Sequence, residues 1–499
     1  MKIIVIGAGL AGAATAHALA VCGCDVTVLE ASATGASAWP YITGAAAAAS
    51  PNAPPRTPST PSAGLPVALL APHQTQHKTH HLAQSAAQHL AQHLRHHPAQ
   101  HSAAAGEAPS PTSLALPTSP LSQLSHLGVA ATLQAARSLL QEGQDWQPCG
   151  ALQRAGKLGP QAHWFGDAAW IKPASLVAAW LAHPRITLLA ATQVHSLRLT
   201  QLRAASGCRP HEITVDDLSN LENNIWHVLL EAGQPAGQAH AVVLANAYQA
   251  GVLLAGLELT PREPLELLKH PNNAPGLHGV AQGLSKAGGA LVGLINPSSV
   301  ALGSSNPNAS SLAKALHQVA GQVIYGPWTA QWQALWPTLL PELAQHSPQS
   351  MCHTAPCAIN GNGHFIPAVP WQGGYIWLSG STYEHDTPHN PQITAQGIAS
   401  NLQRLQQLIP GAGHLLAAQH SAGLVQGWAG TRCTTRDRLP LVGAVSASHA
   451  PGLYVCSAMG SRGLSFAALC GQQVAAQIMR ASSPLPDALR RAIDVARFF

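Results

Sequence analysis

The chain opens on an apolar run that turns at once into glycines: Ile3-Ile4-Val5-Ile6, then Gly7-Ala8-Gly9-Leu10-Ala11-Gly12. Four branched apolar residues bounded by glycine predict a strand buried on both faces of a parallel sheet. Gly7, Gly9 and Gly12 stand at G-x-G-x-x-G spacing. At that spacing the first glycine permits a tight turn, the second lets the backbone approach a pyrophosphate, and the third lets helix and strand pack closely. Ala13 to Cys22 read as a small-residue helix whose N-terminus offers unpaired N–H groups to phosphate. Val26 to Leu29 read as a second strand, and Glu30 closes it where a carboxylate can accept ribose hydroxyls. Strand, helix, strand and acid in register predict a dinucleotide-binding βαβ unit. The fold class that follows is α/β, built on a doubly wound parallel sheet.

At 499 residues the chain has room for two domains. Only 9% of residues are charged, yet no apolar run reaches the length of a membrane span. Met1-Lys2 followed by an apolar stretch ending at Cys22 resembles a lipoprotein signal. Val21 is too large for the residue before such a cleavage site, so a cytoplasmic location without a membrane partner is expected. Nine cysteines are scattered, and neither Cys22-x-Cys24 nor Cys352-x4-Cys357 has a second pair at zinc-site spacing. Reduced thiols and no metal are expected. The formal charge of +5 permits an RNA partner without demanding one. Residues 73–101 carry nine histidines, of which His89, His93 and His96 would share a helix face. A metal patch is one reading of that segment, and a solvated Gln- and His-rich helix is the expected one.

Composition divides the remainder. Residues 38–62 are Ala, Pro, Ser and Thr and cannot bury enough apolar surface to order, so a disordered insertion is expected. Residues 63–145 form a helical, His-rich segment with a Pro/Ser linker over 102–125 and a helix from Val129 to Gln141. Beyond it, Ala174 to Leu181 read as a helix; Ile186 to Ala190, Val194 to Leu199, Trp226 to Glu231 and Ala241 to Ala247 read as strands. The last of these ends in small residues, so Ala245 is placed under a cofactor. Residues 256–424 read as a substrate domain with a Gly/Asn/Ser-rich insertion at 256–316, alternating aromatic strands such as Tyr375 to Leu378, and a helix from Thr394 to Leu408. That pattern predicts an antiparallel sheet capped by helices, an α+β unit. The dinucleotide-binding domain is then discontinuous, assembled from 1–37, 146–255 and 425–499.

Near the C-terminus the opening logic repeats. A short strand over Gly452 to Cys456 leads into Gly460-Ser461-Arg462-Gly463-Leu464 and a helix reaching Arg480. The N-terminal fingerprint and this turn together resemble the D-amino-acid oxidase (DAO) family of FAD-dependent oxidoreductases. One branch is matched further by Gly380-Ser381-Thr382-Tyr383-Glu384, by Gly430-Thr431-Arg432-Cys433-Thr434-Thr435-Arg436-Asp437-Arg438-Leu439-Pro440 and by Ala458-Met459-Gly460-Ser461-Arg462-Gly463-Leu464. These runs resemble the oxidoreductase half of the MnmC branch, bifunctional enzymes that modify the tRNA wobble uridine. Gly64 to His73, Trp170 to Pro173, Gly361 to Pro367 and Pro484 to Phe498 match more loosely. Two departures stand out. The chain begins at the glycine fingerprint, so no methyltransferase half is expected in it, and the branch's Arg-Gly-Gln step reads Ala320-Gly321-Gln322.

The resemblance implies FAD, held by Gly7, Gly9, Gly12, Glu30, Ala245, Gly460, Ser461, Gly463 and Leu464. It implies oxidative removal of the carboxymethyl group of 5-carboxymethylaminomethyl-(2-thio)uridine in tRNA, with a methyltransferase as a separate partner. Such a substrate is an N-substituted glycine, whose carboxylate is best clamped by a planar guanidinium. Arg432 or Arg462 is the expected clamp and Tyr383 the expected wall or hydrogen-bond donor over the flavin. Arg436, Asp437 and Arg438 are read as a structural ion pair in a turn. A glycine-, sarcosine- or D-amino-acid-type oxidase of a free amine, and an inactive flavin- or tRNA-binding protein, remain open beside this reading.

Overall fold

The computed structural model describes residues 1–32, 64–73, 119–154, 163–201, 224–259, 312, 314–339, 356–385, 391–446 and 450–498. The expected insertion at 38–62, the histidines from His77 to His97 and most of the 256–316 stretch lie outside these residues. Strands and helices are numbered along the chain.

The apolar opening run becomes β1 (Lys2–Ile6), in the middle of a six-stranded sheet. The order is β20 (Leu441–Ser446), β21 (Ala450–Ser457), β12 (Ala241–Leu244), β1, β2 (Asp25–Leu29) and β8 (Ile186–Leu189). All neighbours are parallel except β20 and β21. Alternate residues of β1 enter different cores. Ile3 and Val5 pack with α1 (Leu10–Val21), α2 (Pro120–Leu139), α3 (Pro173–Leu181), α8 (Gly463–Ile478) and α9 (Asp487–Ile493). Ile4 and Ile6 pack with Leu197, Leu199, Trp226 and Val228. Those four belong to a second sheet of β11 (Pro235–Ala239), β10 (Asn224–Leu229), β9 (Ser196–Gln201) and β13 (Glu258–Leu259), joined by residues of α4 (Gln249–Ala255). The parallel sheet therefore carries helices on one face and a mostly antiparallel sheet on the other. The Trp226 indole ties the two sheets, donating to the Pro451 carbonyl at 2.9 Å.

The helical face is built on close backbone approach. A Cβ at Gly471 in α8 would lie 2.8 Å from Ala14 C and Thr15 N in α1. One at Gly128 in α2 would lie 1.6 Å from the Ser465 carbonyl of α8. Small residues in all three helices thus let α8 sit wedged between α1 and α2, and Thr132 of α2 donates to the Leu464 carbonyl at 2.7 Å.

The sheet expected downstream is present, antiparallel at every pairing but one, and larger than its sequence range. Its order is β18 (Glu384–His385), β14 (His317–Pro327), β17 (Gly374–Gly380), β16 (Gly363–Trp371), β15 (Ala358–Gly361), β5 (Ala151–Gln153) and β6 (His163–Phe165). β19 (Gln426–Thr434) runs antiparallel along β14. One face presents Ile324, Phe365 and Trp377 to Trp328, Trp332 and Trp336, around α5 (Ala330–Leu339), α6 (Ala395–Leu408) and α7 (Gly413–Ser421). Gln419 of α7 locks that aromatic core, accepting from the Trp377 indole at 2.8 Å and donating to the Pro327 carbonyl at 2.9 Å. The other face presents Val323, Ile366 and Leu378 to Val67 and Trp170. Trp170 lies on β7 (Ala169–Ile171), flanked by β3 (Ala68–Leu70) and β4 (Trp146–Pro148).

Two sequence expectations shift. The helix expected from Val129 begins at Pro120, within the stretch read as linker, because Ser119-Pro120 is a start signal. The Ser119 hydroxyl accepts from Ser122 N at 3.2 Å and proline occupies the first turn. The segments 146–255 and 425–499, assigned to the dinucleotide domain, contribute β5, β6 and β19 to the large sheet. No described helix is long and apolar enough to cross a membrane.

Gly128→Ala is expected to force α2 and α8 apart and lower stability by about 1–3 kcal/mol, the usual range for overpacking. Gly413→Ala, where a Cβ meets open space, is the control expected to leave the melting temperature within a degree or two. Thermal unfolding of the two variants checks this.

Candidate active site

The carboxyl ends of β1, β2 and β12 meet at the first glycine turn. Gly7 has φ +102°, and a Cβ there would lie 2.8 Å from the Ala245 carbonyl. A Cβ at Gly12 would lie 1.8 Å from the Gly7 carbonyl, so turn and helix touch through backbone alone. Gly9, which caps α1, has nothing within 4 Å of its missing Cβ and leaves the face of the turn open. The Glu30 carboxylate accepts from Ala8 N at 2.8 Å and from Ser32 N at 3.0 Å, which fixes it at the end of β2 beside the turn. Next to Ala245, the buried Asn246 Oδ1 has no hydrogen-bond partner among the described residues. An open backbone surface at a helix N-terminus, a fixed carboxylate and an unsatisfied amide oxygen in one crevice fit the ADP half of FAD.

The second glycine turn reaches the same crevice from the other end of the chain. A Cβ at Gly463 would come within 3.1 Å of Leu10 Cδ1, so the start of α8 abuts the start of α1. Gly460 has φ +58° and stands beside Thr434, the last residue of β19. The turn thereby joins the nucleotide crevice to the edge of the large sheet. Arg462 extends from it, with Nη2 3.2 Å from His73 Nδ1. Ser461 hydrogen-bonds to Tyr383.

Three residues singled out as catalytic candidates come together here. The Arg432 guanidinium of β19 lies over the Tyr383 ring, 4.8 Å from its centroid, a cation–π contact. Its Nη2 donates to Ser381 Oγ at 2.7 Å and its Nη1 to the Thr382 carbonyl at 3.4 Å. This placement depends on Gly321, because a Cβ there would fall 2.5 Å from Nη1. Tyr383 is exposed at the mouth of the site. Burial pushes its phenol up, but Arg432, hydrogen bonds to Ser381 and Ser461, and Arg462 together bring it below the usual tyrosine range. The phenol is therefore a better hydrogen-bond donor than an isolated tyrosine. Ala320, where the resembled branch has arginine, is fully buried opposite Glu384 and Thr431. The arginine that this structure does hold at the site, Arg432, stands on the neighbouring strand β19.

Sequence reasoning missed Ser381 and Thr382 as anchors of the guanidinium, Gly321 as its floor, and His364. His364 stands on β16, and burial with the Arg432 charge lowers its imidazole to about 4, so it is neutral. No local pattern marks it. Cys433, beside Arg432, is no nucleophile, because burial pushes its thiol up to about 11.

The expected ion pair within Arg436, Asp437 and Arg438 takes another form. Asp437 pairs with Arg497, whose Nε donates to Oδ2 at 2.9 Å. Asp437 Oδ1 also accepts from Thr435 Oγ1 at 2.7 Å and Leu439 N at 2.9 Å, closing the turn after β19. Arg436 and Arg438 are exposed. Among the described residues no group of three or more His, Cys, Asp or Glu side chains could hold a metal, and the cysteines are free thiols.

A family model described as FAD dependent oxidoreductase (DAO) matches residues 313–477. The tRNA 5-methylaminomethyl-2-thiouridine biosynthesis bifunctional protein MnmC of Albidiferax ferrireducens is 29% identical over 499 residues, covering 99% of this chain and 58% of the relative. Its counterpart in Polaromonas sp. is 30% identical over 528 residues, covering 98% of this chain and 58% of the relative. The chain thus spans somewhat more than half the length of these curated relatives. Among solved structures, glycine oxidase from Geobacillus kaustophilus aligns with TM-score 0.51 at 15% identity, covering 99% of both chains. Iminodiacetate oxidase from Chelativorans sp. aligns with TM-score 0.51 at 13% identity, covering 99% of this chain and 98% of the other. These structural likenesses establish the fold.

Burial raises the Asp437 carboxyl, but Arg497, Thr435 and Leu439 N outweigh it and hold it below the usual range. Its contribution to stability is therefore complete above the unfolded carboxylate pKa of about 3.9 and is lost as pH falls through the lower folded value. Asp437→Asn should be less stable than the parent at pH 6. The gap should narrow progressively below about pH 4. Denaturant unfolding at a series of pH values measures it.

Proposed function

We propose that this chain, whose residues 313–477 match the FAD dependent oxidoreductase (DAO) family, oxidises the C–N bond of an N-carboxymethyl amine, namely 5-carboxymethylaminomethyl-(2-thio)uridine at the tRNA wobble position. The observation that carries the reading is the Arg432 guanidinium, held by Ser381 and Thr382 above the side-chain-free floor of Gly321. It is a half-buried, pre-oriented fork beside the turn that begins α8. Such a fork suits a carboxylate, which accepts two parallel N–H bonds from it.

Gly7, Gly9, Gly12 and Ala245 would line the pyrophosphate of FAD, and Glu30 its ribose. Gly460, Ser461, Gly463 and Leu464 would approach the flavin end through backbone N–H groups. When bound, FAD supplies the two-electron acceptor for the hydride that leaves the carbon beside nitrogen. The residues of the chain orient the substrate. Arg432 clamps the carboxylate, and Tyr383 closes the mouth and donates from its phenol. Arg462, a second cation whose charge reaches Tyr383, adds to a positive field that favours the uncharged form of the amine. The amine needs that form, because its lone pair drives the hydride out. The resulting imine takes up water and separates into the aminomethyl nucleoside and glyoxylate. A tRNA substrate places the reaction in the cytoplasm, and methylation of the exposed amine would fall to another active site.

The test is direct. FAD-loaded protein incubated with tRNA carrying the carboxymethylaminomethyl group should release glyoxylate and leave the aminomethyl nucleoside, while glycine and sarcosine should be poor substrates. Robust turnover of glycine or sarcosine with untouched tRNA would favour a free-amine oxidase. Arg432→Ala is expected to lower kcat/KM roughly 100-fold, the scale of ~2–3 kcal/mol for a charge-assisted hydrogen-bond pair. Arg432→Lys should recover part of the loss, because it keeps the charge but not the fork.

A further inference from the structure

One buried polar group on the active-site face of the large sheet has no assigned task. Along β16, Phe365 enters the tryptophan core while Ile366 packs on the opposite face. The period of two puts His364 on the Ile366 face. His364 stands opposite Gly380 of β17, Gly380 opposite Val323 of β14, and Val323 opposite Trp428 of β19. Trp428 shares the Val323 and Ile366 face, and Arg432, four residues along the same strand, shares it too. A single cross-strand row therefore runs from Trp428 to His364, with a glycine next to the imidazole and the Arg432 fork beside the row. His364 Nε2 is buried and has no hydrogen-bond partner among the described residues. A buried imidazole nitrogen left unsatisfied carries a desolvation cost, which a ligand group placed against it removes.

We propose that His364 holds the amine of the substrate: its Nε2 accepts a hydrogen bond from the amine N–H while the Arg432 guanidinium takes the carboxylate. The proposal rests on the reading of the substrate as an N-substituted glycine and is independent of whether that glycine is attached to tRNA. The neutral tautomer with its proton on Nδ1 presents an acceptor at Nε2. No proton moves onto the ring, because an imidazolium would stand beside a guanidinium. Burial, with the guanidinium second, keeps the imidazole uncharged, and the same guanidinium disfavours a charged amine, so both partners in the hydrogen bond are neutral. Fixing the N–H at Nε2 turns the amine's lone pair toward the C–H bond of the adjacent carbon, from which the hydride departs.

Two planar ligands that cannot be oxidised separate the roles. Pyrrole-2-carboxylate carries an N–H beside its carboxylate, and 2-furoate replaces that N–H by an oxygen. Their dissociation constants are read from the absorbance change of bound FAD in the holoenzyme, with flavin content and melting temperature recorded for each variant. The unaltered protein should bind pyrrole-2-carboxylate about 3- to 10-fold more tightly than 2-furoate, the scale of one hydrogen bond. His364→Ala should erase that preference by weakening the pyrrole alone, and His364→Gln, whose amide oxygen still accepts, should keep part of it. Arg432→Lys should weaken both ligands together. Equal losses for both ligands in His364→Ala, or no loss for either, would overturn the role of His364 while leaving the carboxylate clamp in place. Failure of both ligands to perturb the flavin of the unaltered protein would overturn the N-substituted glycine reading and the His364 proposal with it.

Discussion

Everything in this molecule hangs on how closely α1 and α8 approach. Gly471 meets the backbone of Ala14 and Thr15, Gly463 meets Leu10, and Gly128 presses α2 onto the start of α8. These contacts exist because side chains are missing, and dispersion between backbones at such range replaces ordinary ridge-and-groove packing. Their effect is to bring residues near 10 and residues near 463 into one crevice. The first turn then offers backbone N–H groups to phosphates while the second turn carries Ser461 and Arg462 toward the large sheet. A composite site assembled from the two ends of a chain needs this seam to be rigid. Its rigidity comes from glycine and alanine rather than from large side chains.

The second organising element is a single cation. Arg432 lies over the Tyr383 ring, donates to Ser381 and Thr382, and acts on His364 through its charge. Against the burial that raises the phenol it works with Ser381, Ser461 and Arg462 to lower it, and it adds to the burial that keeps the imidazole a neutral acceptor. The strand pairing of β14 with β19 and β17, and of β17 with β16, delivers these groups to one face. The electrostatics of the site are thus a product of register, because a slip of one residue in β19 would send Arg432 to the opposite face of the sheet.

Much of this was legible from the chain alone, and what was not has a physical reason. Ile3 to Glu30 could be read because strand, turn, helix and acid are contiguous and each follows from local chemistry. The turn at Gly460 could be read for the same reason. Pro120 was hidden because Ser-Pro within a Pro/Ser-rich stretch is ambiguous until the Ser122 N–H is seen to need its cap. β5 and β6 are three residues each, too short for a periodic signal, and β15, the partner that brings β5 into the large sheet, lies some two hundred residues away. β19 carries no strand assignment in the sequence reading, because Gln426 to Thr434 lacks a clean apolar alternation. Arg432 and Tyr383 were legible as residue types, but their contact was not. His364 was illegible as a functional candidate, because its distinguishing property is an Nε2 without a partner among the described residues, and that exists only in three dimensions.

The floor beneath Arg432 is shared with a backbone carbonyl. While the guanidinium lies over Gly321, a side chain at 321 would collide with it and, just as closely, with the Thr382 carbonyl. Glycine at 321 is therefore held by two neighbours, a side chain that substitution can remove and a backbone group that it cannot. Losing Arg432 alone would not open the space for a side chain there. A lineage that abandons the clamp still keeps the glycine over which an arginine could return.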